Sequence, residues 1–180
     1  IIPSTKRYYE FMDLQEELDN GKIVDPAFGD LTLENVFFSY EIDKPILIDV
    51  NLKFPMGSKT ALIGRNGSGK TTIINLLTRL YDPVNGRVLL NGTDITEISM
   101  QAYRNMVSVV SQQIYLFNDT IRNNICLYKQ VSDEVIEAAC KDSSLDDFLE
   151  EVSLDYVVGQ NGVMLSGGQK QKIALARALV

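Results

Sequence analysis

The segment GRNGSGKT, Gly64–Thr71, contains the residue types that a phosphate-binding loop requires. It fits the spacing G-x-x-x-x-G-K-[ST], in which the glycines let backbone N–H groups turn inward around phosphate oxygens. Lys70 supplies a positive charge for the β- and γ-phosphates, and the hydroxyl of Thr71 is a suitable ligand for Mg²⁺. The alternative is a Gly-rich turn without a ligand. An apolar segment before the loop and a helical pattern after it favour phosphate binding.

A second pair of glycines lies in LSGGQ, Leu165–Gln169, at the start of a helical pattern that runs to Val180. The first N–H groups of a helix have no partner within the helix, so they can bind an anion. The simpler alternative is an N-cap followed by a turn.

Composition excludes several classes of protein. The 180 residues carry a net charge of −7, which disfavours a nucleic-acid-binding surface. The absence of histidine excludes every mechanism that needs an imidazole within this chain. No apolar run is long enough to cross a membrane, and no signal-peptide pattern opens the sequence. Cys126 and Cys140 lack metal-ligand spacing, so we expect reduced, half-buried thiols of a cytosolic compartment.

Strand patterns dominate the first half of the chain. Residues 31–40 and 46–54 alternate apolar and polar side chains, which predicts an antiparallel pair. KTALIG, residues 59–64, predicts a short buried strand, and further strands are expected at 83–92 and 106–111. In the second strand of the pair, the apolar residues that we expect on one face are Ile46, Ile48, Val50, Leu52 and Phe54.

Helical patterns begin after the phosphate loop. Residues 70–80 predict a helix, and later helices are expected to start at Ser132, at Ser144 and near Ser166. Residues 1–20 predict a short amphipathic helix or linker. Strands that alternate with helices through Gly-rich joints indicate an α/β domain. The expected apolar stripes are Ile73, Ile74, Leu77 and Leu80 in the first helix, and Tyr8, Phe11, Met12, Leu14 and Leu18 in the N-terminal segment.

Together, the phosphate loop and LSGGQ resemble the ATP-binding cassette (ABC) family. Other stretches agree with this resemblance. FFSY ends in Tyr40, at the place of the family's aromatic A-loop residue. VVSQQIYLFNDTI, Val109–Ile121, is similar to the Q-loop segment, with Gln112 at the glutamine position. VVGQNGVMLSGGQ is similar to the loop and signature motif of exporters. The resemblance covers residues 31–180.

The resemblance implies a P-loop NTPase fold with a parallel core sheet, an N-terminal antiparallel β piece and a helical subdomain at about residues 113–165. Residues 31–180 then form a partial nucleotide-binding domain, and residues 1–30 are a linker from an upstream transmembrane domain. The whole protein is expected to be a membrane protein, with this domain on the cytosolic side.

The resemblance also implies roles for individual residues. Tyr40 stacks on adenine, although it could be an ordinary strand aromatic. Lys70 and Gln112 take part in catalysis, and Thr71 and Gln112 hold Mg²⁺, although Gln112 could be a plain loop amide. The implied ATP-binding residues are Tyr40, Gly64, Arg65, Asn66, Gly67, Ser68, Gly69, Lys70, Thr71 and Thr72, and the residues implied to bind the ATP of a partner are Ser166, Gly167, Gly168 and Gln169.

The sequence departs from the family pattern at several positions. Ser111 stands where proline is usual, Gln160 where an acidic residue is common, and Lys170 and Lys172 where arginine is common. The Walker B aspartate, the glutamate that acts as general base and the switch histidine, which should follow the signature helix, are not in the sequence. We therefore expect a domain truncated after that helix, with the C-terminal part of its core missing and with no activity by itself.

Three functions compete. The first is the ATP-hydrolysing motor of an ABC exporter, which closes as a head-to-tail dimer on two MgATP. It would work with a second nucleotide-binding domain, identical or different, and with the transmembrane domain of the same transporter, without nucleic acid. The second is a nucleotide-binding module without turnover. The third is a DNA-maintenance ATPase, which the lack of a coiled-coil heptad run disfavours.

Overall fold

The structure, a computed structural model, describes Tyr8, Tyr9, Met12 and residues 19–180. The chain forms two compact units, which divide between Val107 and Ser108. The predicted N-terminal helix therefore lies mostly outside the described residues, together with its Phe11, Leu14 and Leu18.

The first unit is built on a four-stranded antiparallel sheet. Its strands are β1 (Leu31–Ser39), β2 (Pro45–Phe54), β3 (Asn85–Leu90) and β4 (Thr93–Asp94), in the order β2-β1-β3-β4. The predicted pairing of the first two strands is confirmed, with Leu31 opposite Phe54 and Phe38 opposite Leu47. The expected strand within residues 83–92 is β3.

The expected apolar face of β2 is only partly right. Val50 is half-buried as predicted, but Ile48 is exposed and Leu47 is buried instead. The cause is a bulge at Asp49, whose φ is +50° and where the register between β1 and β2 shifts. One extra residue moves each following side chain to the other face of a sheet.

Two predicted strands do not form. Residues 59–64 and 106–111 have no strand structure, and Ile63 is 93% exposed. A strand needs a neighbour to satisfy its N–H and C=O groups, and none of the described strands pairs with either segment. The described residues accordingly form no parallel core sheet, and their one parallel pairing is a bridge between Ile23 and Ile98.

Helix α1 (Lys70–Leu77) follows the phosphate loop and ends earlier than predicted. Its C-terminus is a Schellman motif, because the N–H of Leu80 donates to Asn75 O and that of Arg79 donates to Leu76 O. Arg79 takes the left-handed conformation, with φ +52°. The buried stripe therefore differs from the predicted one, since Ile74 and Leu80 are exposed. It consists of Thr72, Ile73, Leu76 and Leu77.

A short helix, α2 (Met100–Arg104), secures the end of α1. The buried hydroxyl of Tyr103 donates to Leu77 O at 2.5 Å, and Arg104 donates to Arg79 O at 2.9 Å. The buried guanidinium of Arg79 in turn donates to Ile98 O at 2.7 Å. These bonds satisfy backbone carbonyls that the end of a helix leaves open. Burial also raises the pKa of Tyr103 to about 12.

The segment 19–23 is bonded directly to the start of α2. The Asp19 carboxylate accepts hydrogen bonds from the N–H groups of Met100 and Gly21. The N–H of Ile23 donates to Glu97 O, and that of Ser99 donates to Ile23 O. A Cβ at Gly21 would lie 2.1 Å from the Ile98 carbonyl oxygen, so only glycine permits this approach.

The second unit is helical. It contains α3 (Ile121–Cys126), α4 (Asp133–Asp142), α5 (Asp146–Leu149) and α6 (Gly167–Leu179). The predicted starts after Ser132 and Ser166 are confirmed. The helix predicted to start at Ser144 begins one residue later than expected, because Leu145 is the N-cap of α5. Its core includes Ile121, Ile125, Ile136, Leu145, Val158 and Ile173.

Both cysteines belong to the core of this second unit. Cys126 and Cys140 are free thiols and buried, so the expectation of half-buried side chains is wrong. Burial also raises the pKa of both thiols. They are therefore packing residues with little thiolate character. No helix within the described residues has the length and hydrophobicity needed to cross a membrane.

Candidate functional site

The phosphate loop reaches α1 through two glycines with left-handed backbone. Gly67 has φ +79° and Gly69 has φ +85°. A Cβ on Gly69 would lie 2.7 Å from Leu47 Cδ2, whereas a Cβ on Gly67 would meet no atom within 4 Å. Gly69 is thus required by both conformation and packing, and Gly67 by conformation alone.

Lys70 is the first residue of α1, and its side chain returns to the start of the loop. Its Nζ donates to the carbonyl oxygens of Gly64 and Arg65, each at 2.8 Å. The N–H of Ser68 also donates to Arg65 O at 3.2 Å. These bonds fold the loop into one turn with the ammonium group at its opening. Asn66 lies in the exposed part of the same turn.

The start of α1 is electropositive. Gly69 is its N-cap and provides no side-chain cap, and the first turn of the helix has no acidic residue. The free N–H groups and the helix dipole therefore add to the charge of Lys70. Thr71 is exposed in this turn, so its hydroxyl is accessible to a ligand.

Tyr40 lies against the same helix. Its hydroxyl donates to Thr72 Oγ1 at 3.4 Å and accepts from Asn75 Nδ2 at 2.9 Å. Its side chain is 45% exposed, so the aromatic residue remains accessible. Thr72 is buried, and its hydroxyl is used to hold Tyr40. The phosphate loop and the predicted base-stacking residue are thus brought together by α1.

The signature segment lies in the second unit and begins α6. The hydroxyl of Ser166 accepts from the N–H of Gln169 at 3.3 Å, and Gln169 Oε1 accepts from the N–H of Ser166 at 2.8 Å. This reciprocal pair is a capping box. Gly167 and Gly168 are exposed, and a Cβ on either would meet no atom within 4 Å. The predicted N-cap is therefore present, and the two glycines lie in open space.

Gln112 also belongs to the second unit. It is exposed in a bend, where the Ser111 hydroxyl donates to Gln113 O. Ser111 thus stabilises this bend with its side chain, in place of the proline that is usual in the family. Among the described residues, no three metal-ligating side chains of the His, Cys, Asp or Glu type cluster together.

Sequence reasoning missed two residues that contact the site. Asn75 binds the Tyr40 hydroxyl, and Tyr81 packs edge-to-face on Tyr40 with 5.1 Å between ring centroids. The position of Asn75, three residues after Thr72 on α1, could have indicated a shared helix face. No comparable signal exists for Tyr81, because its position depends on the backbone turn at Arg79.

Comparison with known proteins agrees with these features. The sequence profile of the family described as ABC transporter matches residues 47–180. The chain is 46% identical over 178 residues to the ATP-dependent lipid A-core flippase of Escherichia coli strain K12, and to that of Shigella flexneri. Each alignment covers 96% of this chain and 31% of the relative.

The structure is similar to that of a bacterial Atm1-family ABC exporter with ATP bound, with a TM-score of 0.86 and 34% identity. That match covers 99% of this chain and 33% of the exporter chain. The chain thus spans about one third of the length of these relatives. Because the family profile covers most of the chain, including the phosphate loop and the signature segment, this protein belongs to the ABC transporter family and has its P-loop NTPase fold.

Proposed function

We propose that this chain is the nucleotide-binding domain of an ABC exporter and that it binds ATP between the phosphate loop and Tyr40. The observation that carries this proposal is the bonding of Tyr40 to α1. Its hydroxyl contacts Thr72 and Asn75 on the helix that begins at Lys70. One rigid element therefore holds a cationic loop for phosphates and an accessible aromatic ring for a base.

The phosphate loop supplies several groups for ATP. Backbone N–H groups of Gly64–Thr71 surround the phosphate oxygens, and Lys70 exchanges its bonds to Gly64 and Arg65 for the β- and γ-phosphates. Arg65, Asn66 and Ser68 form the exposed part of this cradle. Tyr40 stacks on adenine, which favours a flat base without demanding one base.

The oxygen donors of the chain fit Mg²⁺. The Thr71 hydroxyl at the start of α1 is a hard oxygen donor that would hold the ion beside the phosphates. The Gln112 amide oxygen, in the second unit, is a donor of the same hard type. When bound, Mg²⁺ neutralises charge on the β- and γ-phosphates.

The signature segment, Ser166–Gln169, serves the ATP of a second nucleotide-binding domain. Glycine in a helix costs up to about 1 kcal/mol relative to alanine. Gly167 and Gly168 have neither a positive φ nor a neighbour that would exclude a side chain. A close approach from outside the chain would account for two glycines at this place. A γ-phosphate held by a partner in a head-to-tail dimer would make that approach, with Gln112 contributing to catalysis.

The transport role follows from the relatives. They are described as a flippase and an exporter, and this chain corresponds to about one third of each. We infer that a transmembrane domain of the same transporter is the second partner and that this domain lies on the cytosolic side of a membrane. The second nucleotide-binding domain can be identical or different.

A second candidate is a module that binds nucleotide without turnover. No histidine is present, and the first turn of α1 has no carboxylate. Neither an imidazole nor a carboxylate of that turn can therefore act as general base, and the loss of a general base typically slows the attack of water by 10²- to 10⁴-fold. We therefore expect the 180-residue chain to bind ATP but to hydrolyse it no faster than a variant with a disabled phosphate loop.

Calorimetric titration with MgATP tests the proposed ATP binding, and measurement of phosphate release tests the expected lack of hydrolysis. We expect saturable binding of MgATP by the wild-type chain and its loss in Lys70→Ala. Phosphate release should be negligible and equal for the wild-type chain and Lys70→Ala. Failure of the wild-type chain to bind MgATP would overturn the whole proposal. Faster phosphate release by the wild-type chain than by Lys70→Ala would contradict only the lack of turnover.

A further inference from the structure

Three aromatic rings form a cluster beside α1. Phe38 and Tyr40 have ring centroids 4.8 Å apart, Tyr40 and Tyr81 5.1 Å apart, and Phe38 and Tyr81 5.7 Å apart. All three pairs are edge-to-face, with interplanar angles of 87°, 82° and 66°. Phe38 is buried, whereas Tyr40 is 45% and Tyr81 48% exposed. Tyr40 is thus supported by one core ring and one surface ring.

The place of Tyr81 is set by the end of α1. Arg79 turns the chain in the left-handed conformation, and the Leu80 N–H closes the Schellman motif on Asn75 O. Arg79 is itself fixed by its buried bond to Ile98 O. The residue after this turn, Tyr81, is thereby returned toward Tyr40. Asn75 takes part twice, since its carbonyl closes the turn and its side chain binds the Tyr40 hydroxyl.

We propose that Asn75 and Tyr81 are positioning residues that hold Tyr40 ready to stack on the base of the nucleotide. This inference rests on the proposed function. A half-exposed tyrosine can rotate about two side-chain torsions. Fixing it before the nucleotide binds reduces the conformational entropy that is lost on binding. The Asn75 amide fixes the hydroxyl end of Tyr40, and the Tyr81 ring fixes its side. The side-chain bond of Asn75 goes to Tyr40, and the ring contacts of Tyr81 are with Tyr40 and Phe38, so both side chains act on the base through Tyr40.

This arrangement predicts effects on base binding but not on phosphate binding. Inorganic tripolyphosphate is the suitable probe, because it carries the phosphate chain of ATP without adenosine. Asn75→Ala and Tyr81→Leu should each weaken ATP binding by about 3- to 10-fold, the size of one hydrogen bond or one aromatic pair. Their affinity for tripolyphosphate should change by less than about 2-fold, on the same affinity scale.

Matched variants separate positioning from a general loss of structure. Tyr81→Phe keeps the ring and should bind ATP like the wild type. Leu80→Ala changes the exposed neighbour of Tyr81 and should have no effect on either ligand. Combining Tyr81→Leu with Tyr40→Ala should weaken ATP binding no further than Tyr40→Ala alone, because both act through one ring. Thermal unfolding of each variant gives a separate measure of folding.

Several results would overturn the inference. Equal loss of ATP and tripolyphosphate binding in Tyr81→Leu would mean a structural role only. Tighter ATP binding by Tyr81→Leu would mean that Tyr81 covers the face on which adenine stacks. Unchanged ATP affinity in both variants, with a loss in Tyr40→Ala, would refute positioning and leave the proposed function intact. Absence of ATP binding by the wild-type chain would instead refute the proposed function.

Discussion

The ammonium nitrogen of Lys70 lies 2.8 Å from the carbonyl oxygen of Gly64, the first glycine of its own loop. This bond joins the two ends of the phosphate loop. Lys70 therefore stabilises the conformation of the loop and also gives it a positive charge. Each ligand group in the loop is therefore placed relative to the start of α1.

Removal of this ammonium group should abolish tight ATP binding. A hydrogen bond to a charged group contributes about 1.5–3 kcal/mol, so Lys70→Ala should weaken ATP binding by at least about 10- to 100-fold. Calorimetric titration measures this change. Lys59→Ala, at an exposed lysine before the loop, is the control and should bind ATP normally. Similar affinity of Lys70→Ala and wild type would exclude the loop as the phosphate site.

Substitutions at Gly168 should separate its role in the chain from its role toward a partner. Because a Cβ there meets no atom within 4 Å, Gly168→Ala should leave folding intact or raise the free energy of unfolding by up to about 1 kcal/mol. Gly168→Asp places a carboxylate where we expect the γ-phosphate of the partner. It should leave ATP binding by one monomer unchanged and prevent ATP-driven dimerisation.

Light scattering with and without ATP, beside calorimetric titration, checks this prediction. The measurement should use a wild-type form that dimerises with ATP, since only such a form allows a loss to be seen. Loss of monomer binding in Gly168→Asp would show that the signature segment serves the nucleotide of its own chain.

The two left-handed glycines of the phosphate loop should differ in their tolerance of alanine. Left-handed backbone costs a residue with a Cβ about 1–2 kcal/mol, and Gly67→Ala should lose about that much free energy of unfolding. Gly69→Ala adds a contact at 2.7 Å to the buried side chain of Leu47. Gly69→Ala should therefore lose more free energy of unfolding than Gly67→Ala, by about 1 kcal/mol or more. Urea denaturation measures both losses of unfolding free energy. Equal losses would mean that the Leu47 side chain moves away from the new Cβ at no energetic cost.

Alkaline pH should destabilise the chain through Tyr103. The folded state raises the pKa of this phenol to about 12, so the unfolded chain releases its proton first as the pH rises. The stabilisation is fully present below about pH 10 and is lost as the pH rises toward 12. Its full size is up to about 3 kcal/mol, since each pKa unit corresponds to about 1.4 kcal/mol.

Tyr103→Phe isolates this effect. At neutral pH the variant should lose about 1 kcal/mol of unfolding free energy, because Leu77 O loses its donor. Between pH 10 and 12 its stability should fall less steeply than that of the wild type. Tyr115→Phe, at an exposed tyrosine, is the matched control. Identical pH slopes for wild type and Tyr103→Phe would be inconsistent with the burial argument.

Local patterns predicted the elements whose structure depends on neighbours in sequence. The pairing of β1 with β2 follows from alternation and a short connection, and the start of α6 follows from the Ser166 cap. The face of β2 was not predictable, because the bulge at Asp49 depends on its partner strand. The Asn35 side chain donates to Asp49 Oδ1 across that pair, a contact that the sequence of one strand does not contain.

Long-range requirements account for the remaining differences. Residues 59–64 have the alternation and apolar content of a strand, but strand structure depends on a neighbour that local sequence does not specify. The candidate site shows the same dependence on contacts that local sequence does not specify. The motifs identified Lys70 and Tyr40 directly, whereas the contact of Tyr81 with Tyr40 depends on a left-handed turn at Arg79, a residue type for which that conformation is uncommon.

The bonding of Asp19 to Met100 has a mechanical consequence. Between Asp19 and Ile23 the chain is bonded to Glu97, Ser99 and Met100, at the start of α2. Tension on the chain ahead of Asp19 would therefore act on these bonds. The Tyr103 hydroxyl bond to Leu77 O connects α2 in turn to the end of the helix whose first residue is Lys70. We therefore expect residues 19–23 to couple movement of the preceding chain to α1 through α2.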